Sequence, residues 1–171
     1  MTDSDDGLRE FVEREWVPLV RLAYLLTSDR GHAEDLVQAA LEKTHRRWDR
    51  VARMDAPIAY VRRVMVNTAI SWRRRRRLVE VPLLSADGPA SDPYGPVDQR
   101  QQMLVALRRL PPRMRAVLVL RYFADLSEAD VAETLGCSVG SVKSQTSRGL
   151  SRLRDHLDHP SAALTKILQE G

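Results

Sequence analysis

LSEADVAETLGCSVGSVKSQTSRGLSRLR, residues 126–154, is the stretch that decides the fold of the C-terminal half of this 171-residue chain. Ser127, with Asp130 three residues later, predicts a capping box at the start of a helix. Gly136 lies where the chain must turn sharply, a position suited to positive φ. Ser138 can then cap a second helix. Two short helices crossing about such a turn are typical of a helix–turn–helix.

The two faces of the second helix differ in chemistry. Its predicted core positions are apolar, as are those of the first helix: Val131, Ala132, Leu135, Val142, Leu150 and Leu153. The opposite face carries short hydroxyls, an amide and two cations: Ser141, Lys143, Ser144, Gln145, Ser147 and Arg148. Such side chains suit a helix inserted in the major groove of DNA. An ordinary helical hairpin that binds nothing is the alternative.

Helical periodicity also fills the N-terminal part of the chain. Apolar residues recur at spacings of 3, 4 and 7 through residues 8–26 and again through 33–41. Pro18 is expected to bend or divide the first of these helices. A third helix should begin near Pro57, with Asp55 as a candidate cap.

Residues 78–98 interrupt this pattern with four prolines, two glycines and no basic residue. We interpret them as a flexible acidic linker. The predicted fold is all-α, with two small helical domains. The predicted boundaries are a first domain at 1–77, the linker at 78–98, a second domain at 99–155 and a short tail at 156–171.

Five consecutive arginines, Arg73–Arg77, end the third helix. At 100° per residue, Val61, Met65 and Trp72 fall on a core stripe, and Asn67 faces outward with its neighbours Arg63 and Arg74. One or two arginines would satisfy the helix dipole, so five favour contact with a polyanion. A nuclear import signal also matches in composition, but a basic run continuous with a packed helix is a poor candidate.

Charge is unevenly distributed although the formal net charge is only +4. Residues 43–77 carry a net +10 and residues 99–123 a net +6, separated by the acidic linker. Two basic blocks suggest two surfaces that face polyanions.

Several classes of protein are excluded or disfavoured by composition. The single cysteine, Cys137, excludes an intramolecular disulfide and any multi-cysteine zinc site. The sequence contains no run of 18 apolar residues, so it predicts no segment that spans a membrane. The acidic N-terminus lacks the apolar region of a secretory signal. A cytoplasmic location is therefore expected. There is no nucleophile–base pair, metal-ligand set or phosphate loop. We therefore expect no enzyme activity and no cofactor.

Taken together, these residues resemble the extracytoplasmic-function (ECF) class of bacterial RNA polymerase sigma factors over nearly the whole chain. AEDLVQAALEKTHRRW resembles the helix that docks on polymerase, and APIAYVRRVMVNTAISWRRRRR the helix that melts the promoter and reads its minus-ten element. Residues 106–154 resemble the minus-thirty-five-reading domain. SVKSQTSRGLSRLR is similar in particular to the actinobacterial sigma-E branch.

The resemblance implies partners and residue roles. The partners are promoter DNA and core RNA polymerase, through the clamp helices of its largest subunit and the flap of its second subunit; an anti-sigma factor is a further candidate. The implied clamp-docking residues are Asp35, Leu36 and Gln38. The minus-ten residues are Arg63, Asn67, Arg74, Arg75, Arg76 and Arg77, with the loop of residues 53–57 helping to hold a flipped base. The minus-thirty-five residues are Ser141, Lys143, Ser144, Ser147 and Arg148.

The chain departs from the family pattern at two sites. Ala39, Ala40 and Leu41 follow Gln38 where an acid and a nearby aromatic are usual, which bears on polymerase docking. In the recognition helix, Gln145 and Gly149 replace a common arginine and alanine, so the promoter sequence cannot be transferred from other branches. A free-standing transcriptional regulator is the alternative function, but it would leave Asn67 and the acidic linker unexplained.

Overall fold

The computed structural model describes residues 3–79 and 99–157, with the side chains of residues 3–5, 77, 79, 99 and 100 outside the description. Most of the predicted linker and tail therefore lies outside the described residues. Within the two ranges the chain is helical and has no strand, which confirms the all-α prediction. The helices are α1 (Asp3–Thr27), α2 (Arg30–His45), α3 (Trp48–Val51), α4 (Pro57–Val79), α5 (Gln99–Arg108), α6 (Pro112–Leu118), a π-helical turn (Val119–Phe123), α7 (Glu128–Leu135) and α8 (Val139–Arg154).

The first four helices form an N-terminal domain around one apolar core. The apolar stripe of α1 buries Leu19 and Leu22, and α1 packs against α2, which in turn packs against α4. Phe11 of α1 contacts Trp48 of α3, with ring centroids 5.2 Å apart. Pro18 lies inside α1 without dividing it.

The start of α2 is fixed by a cap. Ser28 adopts φ of 57°, which reverses the chain after α1. Asp29 is the N-cap residue, and its Oδ1 accepts a hydrogen bond from the backbone N–H of His32 at 2.8 Å. This bond satisfies one of the donors that a helix start leaves without an internal partner.

The helix–turn–helix forms as its sequence predicts. Ser127 and Asp130 make the reciprocal capping box of α7. Gly136 follows α7 with φ of 62°, in the left-handed region, and Ser138 caps α8 by accepting from the N–H of Ser141 at 3.1 Å. The C-terminal domain thus comprises α5 to α8, with α8 crossing α6 and α7.

The two domains pack directly against each other: α1 and α4 contact α6, and α4 also contacts α7. At their junction Arg115 of α6 is 1% exposed and donates from Nε to the carbonyl of Leu25 at 2.6 Å. Arg73 of α4 donates from Nη2 to the carbonyl of Arg108 at 2.8 Å. We call this packing the closed arrangement.

Candidate promoter-DNA and polymerase surfaces

The outward face of α4 presents the residues assigned to the minus-ten element. Arg63, Asn67 and Arg74 are exposed, and the core stripe opposite them is buried at Val61 and Met65. The helix continues through the whole arginine run to Val79, two residues beyond the predicted domain boundary. Arg75 and Arg76 are also exposed, while the side chain of Arg77 lies outside the described residues.

A pocket opens beside Asn67, between α2 and α4, with a volume of about 280 Å³. Its polar lining includes Lys43, whose Nζ donates to Thr68 Oγ1 at 3.0 Å. The full lining is Lys43, Val64, Asn67, Thr68, Ser71, Trp72 and Arg75. No residue of the 53–57 loop is among them, so the walls of this pocket come from helices.

Lys43 is a functional candidate that sequence reasoning missed. It is one of only three lysines in the chain, and it stands at the start of the first basic block. Its place opposite Asn67 depends on how α2 packs on α4, and neither its own sequence neighbourhood nor its charge indicates that packing.

Arg76 reaches back to the start of α2, where its Nη2 contacts His32 Nε2. The other ring nitrogen of His32, Nδ1, lies 3.0 Å from Asp29 Oδ1. A neutral His32 protonated on Nδ1 satisfies both contacts, since it donates to Asp29 and accepts from Arg76. One arginine of the run is thus held against the N-terminal domain rather than projecting freely.

The outer face of α8 carries the residues assigned to the minus-thirty-five element. Ser141, Lys143, Ser147 and Arg148 are exposed and Ser144 is half-buried. Arg148 Nη2 donates to Ser144 Oγ at 2.7 Å, which orders the guanidinium along the helix. Lys143 Nζ lies 3.8 Å from Glu128 Oε2, a loose surface pair.

Val139 is a second residue that the sequence did not single out. It is the first residue of α8 and is 39% exposed. A branched apolar side chain at the leading end of a recognition helix suits contact with the methyl group of thymine. Its exposure depends on the direction in which α8 leaves Gly136.

The docking residues predicted on α2 divide into two kinds. Asp35 and Gln38 are exposed on its outer face, whereas Leu36 is 0% exposed and belongs to the core. Leu36 therefore has no surface to offer a partner. The prediction that it contacts polymerase is corrected: its role is to anchor α2 so that its neighbours face outward.

The second basic block, residues 99–123, was predicted to face a polyanion, but half of its arginines bind backbone carbonyls within the fold. Three of its six arginines donate to backbone carbonyls: Arg113 to Leu135 at 3.0 Å, Arg115 to Leu25 at 2.6 Å, and Arg121 to Leu126 at 2.6 Å. These guanidiniums brace the ends of α1 and α7. Charge along the sequence indicated a second polyanion surface here, but these three side chains are used within the fold.

Two further observations bound the chemistry. The described part of the chain holds no group of three or more His, Cys, Asp or Glu side chains that could ligate a metal ion. Among residues 3–79 and 99–157, no helix has the length and apolar character that a bilayer crossing requires.

Comparison with known families matches both domains. Residues 11–79 match Sigma-70 region 2, and residues 100–153 match Sigma-70, region 4. The chain therefore belongs to the sigma-70 family of bacterial RNA polymerase sigma factors, in its ECF class. Sigma factors are transcription initiation factors that bind core polymerase and promoter DNA. The chain is accordingly an alternative sigma factor that directs promoter recognition, and the free-standing regulator is not favoured.

Particular relatives align with this chain over most of its length and of theirs. The RNA polymerase sigma-E factor of Streptomyces avermitilis is 39% identical over 150 residues, covering 87% of this chain and 84% of the relative. That of Streptomyces coelicolor is 38% identical over 149 residues, covering 86% and 84%. Among solved structures, the sigma factor RpoE of Bartonella quintana in complex with the anti-sigma factor NepR aligns with a TM-score of 0.70 and 27% identity, over 88% of this chain and 98% of that one.

Proposed function

We propose that this sigma factor reads its promoter with two separate helices and has no chemistry of its own. The outward face of α4, around Asn67, selects the minus-ten element, and the outer face of α8 selects the minus-thirty-five element. The observation that carries the proposal is the pocket of about 280 Å³ beside exposed Asn67, since a reading helix needs a recess for an unstacked base.

The pocket chemistry suits a single-stranded base and its backbone. Asn67 offers an amide that can both donate and accept, Trp72 supplies aromatic surface, and Lys43 and Arg75 supply charge for a phosphate. The arginines beyond it, Arg74–Arg77, of which Arg74 to Arg76 are exposed, extend this electrostatic contact along the helix end. These arginines provide affinity for DNA, while Asn67 and its neighbours provide sequence selectivity.

At the minus-thirty-five element, Lys143 and Arg148 supply donors for guanine O6 and N7. The hydrogen bond from Arg148 to Ser144 limits the rotamers of the guanidinium before DNA arrives. Ser141 and Ser147 extend the same face and suit either bases or phosphates.

Core polymerase docking is assigned to the exposed residues of α2, Asp35 and Gln38, against the clamp helices of the largest subunit. The C-terminal domain is assigned to the flap of the second subunit. We place the protein in the cytoplasm, where promoter DNA is found. The Bartonella relative was solved with an anti-sigma factor, which supports a partner of that class here.

The closed arrangement cannot engage both promoter elements at once. The elements are about 25 base pairs apart, on the order of 85 Å along B-DNA. A compact chain of this length has a radius of gyration of about 15 Å, which makes it roughly 40 Å across. The two domains must therefore separate before both reading helices contact DNA.

Run-off transcription with core polymerase from a related bacterium tests the proposal. We expect promoter-dependent transcripts from the wild-type chain, and loss of opening or altered minus-ten preference for Asn67→Ala. Asn67 is exposed, so the variant should keep its melting temperature. Gln102→Ala, which removes an exposed amide from α5, is the matched control. Tight sequence-specific binding by the isolated chain with no transcript from any candidate promoter would refute the sigma assignment.

A further inference from the structure

A second pocket lies at the junction of the two domains, with a volume of about 200 Å³. The N-terminal domain contributes residues of α1 and α4, and the C-terminal domain contributes the end of the π-helical turn. The lining is Pro18, Arg21, Leu22, Arg62, Phe123 and Ala124. Because both domains build its walls, this pocket exists only in the closed arrangement.

Two cations line this pocket without a partner among the described residues. Neither Arg21 nor Arg62 has a hydrogen bond or ion pair to any residue within 3–79 or 99–157. Glu15 acts on Arg62 only at a distance, and its carboxylate accepts from Arg14 Nε at 2.9 Å. The half-buried Arg62 and the exposed Arg21 thus place two guanidiniums around one recess, which gives the recess a cationic lining.

Partial burial makes an unpaired charge at Arg62 costly. Arg62 is half-buried, and its pKa is lowered by burial in spite of the opposing influence of Glu15. The remaining walls include the apolar and aromatic side chains of Pro18, Leu22 and Phe123, which offer the guanidinium no acceptor. A guanidinium that loses water without gaining an acceptor is a strained arrangement that an oxyanion would relieve.

We propose that this pocket binds a small free oxyanion of the phosphate or diphosphate class between Arg21 and Arg62. The two guanidiniums come from different helices, so a tetrahedral dianion can accept from both, whereas one planar carboxylate is matched by a single arginine fork. The pocket volume lies below the usual range of about 300–1,000 Å³ for small-molecule sites. The occupant is therefore limited to a small group such as phosphate or diphosphate.

The bound anion would stabilise the closed arrangement, because the open one has no such pocket. Binding to one state only shifts the equilibrium toward that state by a factor of 1 + [L]/Kd, about 100-fold at one hundred times Kd. This regulatory consequence rests on the proposed function, since it matters only if closure opposes promoter engagement. The binding site itself does not rest on it.

Isothermal titration calorimetry of the full chain with inorganic pyrophosphate tests the site, at ionic strength held constant with sodium chloride. We expect saturable binding near one site per chain, a reduced affinity for orthophosphate, and at least a tenfold loss of affinity in Arg62→Gln and in Arg21→Gln. Arg30→Gln removes an exposed cation outside the pocket and should bind as the wild type does. Arg62→Lys, which retains the charge, should recover part of the affinity.

Three outcomes would overturn the proposal. These are absence of saturable binding, equal binding by wild type and Arg62→Gln, or stronger binding of succinate than of pyrophosphate. Small-angle X-ray scattering adds a readout of closure: pyrophosphate should lower the radius of gyration of wild type and not that of Arg21→Gln, and an equal response of both would also count against the site. Failure of anion-free wild-type chain to support run-off transcription would instead count against the sigma assignment and leave the pocket untouched.

Discussion

Gly149 shows how closely the helices of the C-terminal domain approach each other. A Cβ built at this position would lie 2.9 Å from Leu118 Cδ1 and 3.0 Å from Met114 Cγ. Leu118 is 0% exposed and Met114 is 4% exposed, so neither side chain has free space to move into. The glycine that replaces the common alanine therefore permits the close crossing of α8 over α6.

Gly149→Ala should lower the free energy of unfolding. Overpacking a core costs about 1–3 kcal/mol, and the gain in helix propensity of about 1 kcal/mol offsets only part of it, so we expect a net loss of roughly 1 kcal/mol in urea unfolding. Gly140→Ala is the matched control on the same helix, since its Cβ would meet only Ser138 Oγ at 3.8 Å. A control as destabilised as Gly149→Ala would contradict the packing explanation.

The carboxylate of Asp29 makes the stability of the fold depend on pH in the acidic range. The hydrogen bond from the N–H of His32 is the main cause that holds the pKa of Asp29 below its ordinary value of 3.8. The folded pKa is thus below the unfolded one, so the stabilisation is complete above the unfolded pKa and is lost as pH falls through the folded pKa. The side chain is 57% exposed, which keeps the contribution small.

Asp29→Asn should remove this pH dependence while preserving the cap, because asparagine caps helices about as well as aspartate. We expect wild type to exceed the variant in stability by less than about 1 kcal/mol at pH 5, with the difference disappearing by about pH 2. Urea unfolding across that range measures the difference. A difference that stays constant with pH would contradict the assignment to the carboxylate.

At the scale of single elements, sequence reasoning worked where the cause is local. The Ser127–Asp130 box, the left-handed Gly136 and the start of α4 at Pro57 each follow from residues within one turn, and the structure has all three. The outward placement of Asn67 followed from helical periodicity alone.

The sequence could not predict features that depend on distant contacts. Leu36 was assigned to a partner surface from its motif, but the packing of α2 against α1 and α4 buries it. Lys43 lines the pocket beside Asn67 only because α2 and α4 pack together. Arg115 meets Leu25 across 90 residues of chain, and no local pattern distinguishes it from its exposed neighbour Arg113.

The arginine run at the end of α4 should act as an electrostatic element. Changing Arg74–Arg77 to Gln preserves helix propensity but removes four cations, and each phosphate that the run no longer neutralises should reduce the slope of log affinity against log salt by about 0.7–0.9. We expect a total change of roughly 2–4, because Arg76 is partly engaged by His32. This slope is measured by fluorescence anisotropy of promoter DNA bound by the holoenzyme, at salt concentrations from about 50 to 200 mM.

The matched control for the run replaces the same four arginines with lysine. Lysine keeps the charge and loses only the planar fork, so the slope should remain close to that of wild type. An unchanged slope in the glutamine variant would rule out phosphate contacts by the run. A slope that fell equally in the lysine variant would indicate that geometry, not charge, matters there.

At the scale of the whole molecule, Arg115 holds the two domains together at a cost. It donates to the carbonyl of Leu25 at 2.6 Å and to the hydroxyl of Ser28, yet its Nη1 is buried and has no hydrogen-bond partner among the described residues. Burial, with repulsion from Arg73 and Arg108, lowers its pKa to about 9. The guanidinium therefore stays charged at neutral pH inside a junction that only partly compensates it, so the closed arrangement carries a cost at this residue.

Arg115→Ala should shift the chain toward the open arrangement. The substitution leaves the Leu25 carbonyl without its donor at the junction, and separation of the domains would expose that carbonyl to water. We expect the closed-to-open equilibrium to fall at least about tenfold, equivalent to about 1.4 kcal/mol, and the radius of gyration from small-angle scattering to rise above the roughly 15 Å of a compact chain. Arg113→Ala, whose hydrogen bond to Leu135 lies within the C-terminal domain, should stay compact. An unchanged radius for Arg115→Ala, or an equal increase in both variants, would show that Arg115 does not hold the domains together.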